Sequence, residues 1–342
     1  MPEGVTTRAG SNPALSASAP GRFTWRRSGC LIVANPKAGG DVLDIAAAIA
    51  ARCRRRIGEP EVMTTEYAGH AEAIAGEAAA AGRFDVVVTV GGDGTARDVA
   101  AGLHRGAVPD VEVPALLPLP GGTGNSFYRE IWADRPWPET LESVLTGATV
   151  DRRRIDLARI EETGDVVLLG ACSGLVADAL AVAAGIDGLS GRELYARAVA
   201  ETVRSFRPYP GRVYVDGAIV HEGPAVLANV GGGRYRGGGY LLLPHSLLDD
   251  GLLDVCVVGG ELDPRLLPDL TRDGRHVEHD AVVYARGSRI TIERTDGEPL
   301  SFEHDGELRL GHDSSRTLTV LPRAVPVLAP STRSDRRGDR RR

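Results

Sequence analysis

From residue 31 to residue 147 the chain alternates short apolar runs with stretches whose apolar positions recur every three to four residues. Leu31-Ile32-Val33-Ala34 is the first run; Val42, Ile45, Ile49, Cys53 and Ile57 then keep one helical face until Gly58. Residues 61–65 read as a second strand, and an alanine-rich helix over 69–81 is closed by Gly82. The β-branched run around Val86-Val87-Val88 predicts a buried strand over 84–90, with a helix to about Leu103. Residues 114–119 form another buried strand, Ser126 begins a helix, and Pro138 begins one more that ends at Gly147. Alternation of this kind predicts an α/β region with an open parallel sheet.

After about residue 150 the pattern changes. Strand-like stretches at 153–160, 165–171, 212–217, 224–230, 252–258, 281–285, 288–293 and 316–321 dominate, interrupted by helices near 175–185, 192–206 and 263–272. This predicts a second domain built on antiparallel sheet. The expected division is a disordered lead-in over 1–27, an α/β domain over 28–150, a β-rich domain over 151–325 whose last strand can return to the first, and a basic disordered tail over 331–342.

The loops after residues 34, 90 and 119 all fall at the carboxyl edge of the parallel sheet, where open α/β sheets bind ligands. The first reads Asn35-Pro36-Lys37-Ala38-Gly39-Gly40. The second, T-V-G-G-D-G-T over 89–95, sets three glycines around one aspartate. Its bare backbone can turn several N–H groups toward one phosphate. Asp93 adds a hard oxygen for Mg²⁺ or a hydroxyl partner, or else caps a helix. The third, Gly121-Gly122-Thr123-Gly124-Asn125, offers amides, a hydroxyl and a helix N-terminus to the same anion, or is a tight turn with Asn125 as the cap.

Three later segments carry further candidates. P-H-S-L-L-D-D-G-L-L-D over 244–254 is a hairpin turn at Asp250-Gly251, or a divalent-cation loop of one carboxylate and nearby carbonyls. Glu303-His304-Asp305-Gly306-Glu307 is hairpin-like, and Glu307 projects from its second strand, where a carboxylate can accept a proton from an attacking hydroxyl. Glycines 231–233 and 237–239 frame Arg234-Tyr235-Arg236, either a flexible connection or a guard over a substrate cleft.

The bulk numbers narrow the class. A chain of 342 residues is long enough for two cores, and a net charge of −6 argues against nucleic acid as a partner. Cys30, Cys53, Cys172 and Cys256 show no CxxC spacing, so core thiols are expected and a zinc site is not. No apolar stretch reaches bilayer-spanning length, and residues 1–27 lack the continuous apolar segment of a signal peptide. The arginines of the tail are a solvated end, or a weak attraction to anionic membrane.

Five of these segments, in this order, resemble the diacylglycerol kinase catalytic family, which includes bacterial lipid kinases and the long-chain-base (sphingosine) kinases. They are residues 35–39, 91–95 and 122–125, the Pro244…Asp250-Gly251…Leu253-Asp254 segment, and Asp305-Gly306-Glu307; the likeness spans residues 29–330. It implies an α/β nucleotide domain, a β-sandwich-like domain that takes the lipid, and an active site between them. ATP would then contact Asn35, Pro36, Lys37, Ala38 and Gly39, and Thr65 from a T-x-x-x-G-[DH] segment. It would also contact Gly92, Asp93, Gly94, Thr95, Ala96, Arg97 and Asp98, and Gly122, Thr123, Gly124 and Asn125. Asp93 would sit at the phosphate and Mg²⁺ centre. Asp250, with the Leu247 and Leu252 carbonyls, would hold a structural Mg²⁺, and Glu307 would be the proton acceptor.

The chain departs from the family pattern at three places. Ala96-Arg97-Asp98 stands where the family commonly has a residue and then Asn-Glu. Ser126 replaces an aspartate usual in the bacterial diacylglycerol kinases. Asp178 sits where the long-chain-base kinases meet the polar lipid head, or is a plain helix acid; Ser126 and Asp178 are the substrate candidates. The resemblance implies γ-phosphoryl transfer from ATP to diacylglycerol or a long-chain base, by a cytoplasmic protein docking transiently on a membrane; a homodimer stays open. The alternatives are an NAD kinase or phosphofructokinase-like enzyme, and a catalytically silent binding homologue.

Overall fold

The computed structural model describes residues 21–331 apart from 28, 40, 148, 190 and 310. Of the tails expected over 1–27 and 331–342, residues 1–20 and 332–342 lie outside the described residues.

The first region contains β1 (Gly21–Arg22), β2 (Cys30–Ala34), α1 (Val42–Arg56), β3 (Glu61–Thr64), α2 (His70–Ala81), β4 (Val86–Gly91), α3 (Asp93–Arg105), β5 (Ala115–Pro120), α4 (Ser126–Trp132) and α5 (Trp137–Thr146). Strands run parallel in the order β3-β2-β4-β5. Every residue of β2 and β4 is buried, as expected of strands covered on both faces. Side chains of α2 and α3 pack on one face with Val33 and Val87, while α1 and α5 cover Ile32 and Val88 on the other.

The second region contains β6 (Val150–Ile160), β7 (Val166–Val167), β8 (Gly170–Gly174), α6 (Leu175–Ala183), α7 (Gly191–Ser205), β9 (Tyr209–Val215), β10 (Ala218–Gly231), β11 (Tyr235–Arg236), β12 (Tyr240–Leu241), β13 (Leu253–Gly259), α8 (Leu267–Leu270), β14 (Val282–Gly287), β15 (Arg289–Arg294), β16 (Phe302–His304), β17 (Glu307–Arg309) and β18 (Ser315–Pro330). Its strands pair antiparallel along β17-β16-β8-β10-β9-β15-β18. A core of Val213, Val255, Ile290, Phe302 and Leu318 fills this region. β18 pairs antiparallel with β6 along most of its length and joins β5 in parallel at Val327↔Leu116, so one sheet path runs through both regions.

Five expectations need correction. Residues 21–27 are not a loose lead-in: β1 pairs with β6, Phe23 is buried, and Trp25 Nε1 donates to the Val144 carbonyl at 3.0 Å. The strand expected over 165–171 breaks into β7 and β8, because the amides of Leu168, Leu169 and Gly170 donate to the Asp305 carboxylate instead of to a strand. The helix expected over 263–272 shrinks to α8 behind a short 3₁₀ turn, with Pro264 and Pro268 in the segment. Asp250-Gly251 is not a hairpin turn, since β13 pairs with β10 and β14. Lastly, the final strand, expected over 316–321, continues as β18 to Pro330. A register shift between Leu321 and Val325, with Arg323 at φ 51°, interrupts its pairing with β6, and the Arg323 amide donates to Asp156 Oδ1 at 2.6 Å.

Candidate active site

The three glycine-bearing loops meet at the carboxyl edge of β2, β4 and β5. Asn35 Nδ2 donates to Thr95 Oγ1 at 3.0 Å, tying the first loop to the second, and Asn35 Oδ1 accepts the Lys37 amide at 3.1 Å. The second and third loops touch through bare backbone: a Cβ on Gly122 would lie 2.4 Å from Gly92 Cα, and one on Gly121 would lie 2.8 Å from the Gly91 nitrogen. Glycine is required at these positions by close approach.

Asp93 does not cap its own helix. Its carboxylate accepts the amides of Ser126 at 3.0 Å and Phe127 at 2.8 Å, capping α4 from across the cleft. Burial pushes its carboxyl up, and those two amides oppose the shift. Asn125, the other capping candidate, takes φ 51° and clamps its own loop: its Oδ1 accepts from the Gly122 amide at 3.0 Å and its Nδ2 donates to the Gly122 carbonyl at 2.7 Å.

A cavity of about 320 Å³ opens at this edge. Asn35, Lys37, Ala38 and Thr65 line one side, Gly92, Gly94, Thr95 and Asp98 another, and Glu307 closes it from the second region. Pro36 and Gly39 complete the first loop without lining the cavity, Ala96 is buried in the core beneath, Gly122 lies against Gly92 and Gly124 against Asp93, and Asp93 and Thr123 are likewise outside the lining. Glu66 and Tyr67 also line the cavity and were not singled out from sequence, although they lie within the T-x-x-x-G-[DH] segment. The Tyr67 ring stacks on His70 with centroids 4.4 Å apart.

Glu307 owes its position to a two-residue hairpin. Asp305 and Gly306 both take positive φ, 48° and 84°, and His304 pairs with Glu307 across the turn. The fully buried Asp305 side chain anchors that turn by accepting the amides of Leu168 (2.8 Å), Leu169 (2.8 Å) and Gly170 (3.2 Å). Burial opposes its charge, but His304, Arg97 and the Leu168 amide hold the Asp305 carboxyl below its ordinary range. Arg97, buried at 8% exposure, donates through Nη2 to Asp98 Oδ1 at 2.6 Å and to Glu307 Oε1 at 2.8 Å. Partial burial pushes the Glu307 carboxyl up; the hydrogen bond and charge of Arg97, aided by Arg309, outweigh it and hold the group ionised.

Matches to known proteins agree with this arrangement. Residues 29–160 match the diacylglycerol kinase catalytic domain, and residues 171–329 match the YegS C-terminal NAD kinase beta sandwich-like domain. A Pseudomonas aeruginosa (strain UCBPP-PA14) protein named "Probable lipid kinase YegS-like" is 32% identical over 315 residues, covering 89% of this chain and 98% of the relative. The chain belongs to the diacylglycerol kinase-like lipid kinase family.

A Mycobacterium tuberculosis (strain CDC 1551 / Oshkosh) member named "Diacylglycerol kinase" is 27% identical over 81% of this chain and 97% of its own length. A solved Bacillus anthracis str. Sterne structure superposes with a TM-score of 0.68 at 25% identity, covering 92% of this chain and 97% of that one. A diacylglycerol kinase structure from the same strain, at 23% identity and a TM-score of 0.64 over 87% and 95% of the two chains, shares the fold.

Against this family background, the remaining candidates lie apart from the cavity. Ser126 is buried and its Oγ accepts the Gly238 amide at 2.9 Å, so it joins the 231–239 loop to α4. The same loop is pinned by Arg129 Nη1 to the Gly238 carbonyl at 2.9 Å and by Arg234 to Glu130 at 2.7 Å. Asp178 lies half-buried in the first turn of α6. The Asp250 loop has the hard oxygen donors that suit Mg²⁺, but Asp250 Oδ2 meets Arg286 and Oδ1 accepts the Leu252 amide at 3.1 Å. Leu247 is exposed at 54%. As placed, Asp250 does not present an open carboxylate to a divalent ion.

Proposed function

We propose that the chain transfers the γ-phosphoryl group of MgATP to the hydroxyl of a lipid, a diacylglycerol or a long-chain base. The observation that carries this reading is the cavity on which the first two phosphate-suited loops, at 35–38 and 92–95, and Glu307 of the second region converge. Phosphoryl transfer asks mainly for positioning and charge neutralisation. The glycine loops offer amides to the phosphates, Lys37 adds a cation, and the α3 N-terminus faces the same space. The ionised Glu307 takes the hydroxyl proton as the new P–O bond forms and the bond to the leaving ADP oxygen breaks.

Beneath α6 and α7 lies a second, apolar cavity of about 40 Å³, room for little more than water and not for an acyl chain, so the lipid acceptor rests on the likeness to the lipid kinases. Leu175, Val176, Tyr195, Val199, Leu227 and Leu267 line that cavity, with Arg236 as its charged member. Among the described residues no helix is long and apolar enough to cross a membrane. In this reading the protein meets its acceptor by peripheral contact from the cytoplasm.

The test is labelled ATP with a panel of diacylglycerol, long-chain base and NAD, using wild type and Glu307→Ala. Label on a lipid, lost by at least ~10²-fold in the variant, is the expected result. Label on NAD, ATP binding with no transfer, or full turnover by the variant would each sink the proposal.

A further inference from the structure

We infer that Arg97 is a positioning residue for the reaction: reaching from α3 to β17, it aims Glu307 at the cavity. The inference rests on Glu307 being the proton acceptor and adds the device that makes it ready.

The geometry is specific. Arg97 Nε and Nη2 lie 3.2 and 2.6 Å from Asp98 Oδ1, and Nη2 lies 2.8 Å from Glu307 Oε1, so one nitrogen bridges the two regions. A buried guanidinium is tolerated only with anionic partners, and it does not release its proton at any pH the fold survives. Two carboxylates meet that requirement here, and the shared bond restricts where Glu307 can point.

The other charges around Glu307 do not replace Arg97. Arg309, on β17, places Nη2 3.2 Å from Glu307 Oε2, but its side chain is 37% exposed against 10% for Arg97, so water screens it more. His304, on β16, accepts from Arg309 Nε at 2.8 Å. Asp165 lies 3.5 Å from Arg309 and 3.6 Å from His304, and Asp305 in the turn is committed to backbone amides. Asp98 on α3 carries the like charge, with Glu72 of α2 acting on it in turn. Of the two arginines bonded to Glu307, Arg97 is the less solvated.

The sign of the pH effect follows. Transfer requires the unprotonated carboxylate, so activity falls as pH drops through its titration. Arg97 pushes that titration down; its removal moves the acid limb to higher pH. The test is the pH dependence of kcat and of KM for ATP in the full chain for Arg97→Met, Arg97→Lys and Glu307→Gln, with thermal melts alongside. Arg97→Met is expected to shift the acid limb of kcat upward and to lower kcat on the order of 10-fold at neutral pH. Arg97→Lys, which keeps the charge, is expected to return the limb toward wild type; Arg97→Gln serves where the Met variant fails to fold. An unmoved limb with a raised KM for ATP would make Arg97 a phosphate ligand through its unpartnered Nη1 and overturn the inference. Wild-type turnover in Glu307→Gln would remove the base and the inference together. Loss in Glu307→Gln with no limb shift in any Arg97 variant would remove only the inference.

Discussion

Asp305→Asn tests whether the hairpin that presents Glu307 is held by a buried charge. The carboxylate accepts three amides, at 2.8, 2.8 and 3.2 Å, from the segment between β7 and β8. Asparagine keeps one acceptor oxygen, which can serve the Leu169 and Gly170 amides that now share Oδ1. Its NH₂ then faces the Leu168 N–H, which loses its partner. One charge-assisted bond removed, one buried amide orphaned and two bonds weakened together cost about 2–4 kcal/mol. For a chain of this size that lowers Tm on the order of 5 °C. Urea unfolding should be followed by far-UV circular dichroism, because Trp25, Trp132 and Trp137 all lie in the first region. Turnover should fall with stability, since the turn carries Glu307, whereas Glu307→Ala should lose turnover alone. The pH dependence has a defined sign. The folded carboxyl lies below its unfolded value, so its contribution is present above the unfolded pKa and disappears as pH falls through the folded one. A variant within about 0.5 kcal/mol of wild type, with full turnover, would refute the reasoning.

Two further substitutions separate structure from chemistry in the loops. Asp93→Ala removes both side-chain acceptors at the start of α4 and is expected to cost about 1–2 kcal/mol in denaturant unfolding; unchanged stability would show that the cap contributes nothing. Gly122→Ala would force a methyl to within 2.4 Å of Gly92 Cα and spread the two loops, so ATP affinity measured by titration calorimetry should fall at least ~10-fold while the melt shifts little; wild-type affinity would contradict the close-packed loops.

Much of the α/β region was legible because its signals are local. Fully buried strands such as β4 read as unbroken β-branched runs, and the left-handed Gly82 and Gly147 stand at the ends of α2 and α5. Glycine clusters marked the places where two backbones had to touch. The hairpin at Asp305-Gly306 was equally visible, because a two-residue turn with positive φ selects these residues. The break between β7 and β8 was hidden, since its cause is a carboxylate far along the chain. The continuation of β18 beyond Pro322 was hidden for the same reason: what fixes it is pairing with β6 and β5.

The sequence by itself determined which residue types were available for the chemistry and on which edge of a parallel sheet the loops would emerge, because periodicity and turn conformation depend on near neighbours. Only the tertiary structure decided that Asp93 serves α4 rather than α3, that Ser126 joins two regions, and that Arg97 bridges Asp98 to Glu307. Those outcomes depend on hydrogen bonds and ion pairs between residues distant in the chain, and such partners are chosen by packing, which no local pattern records.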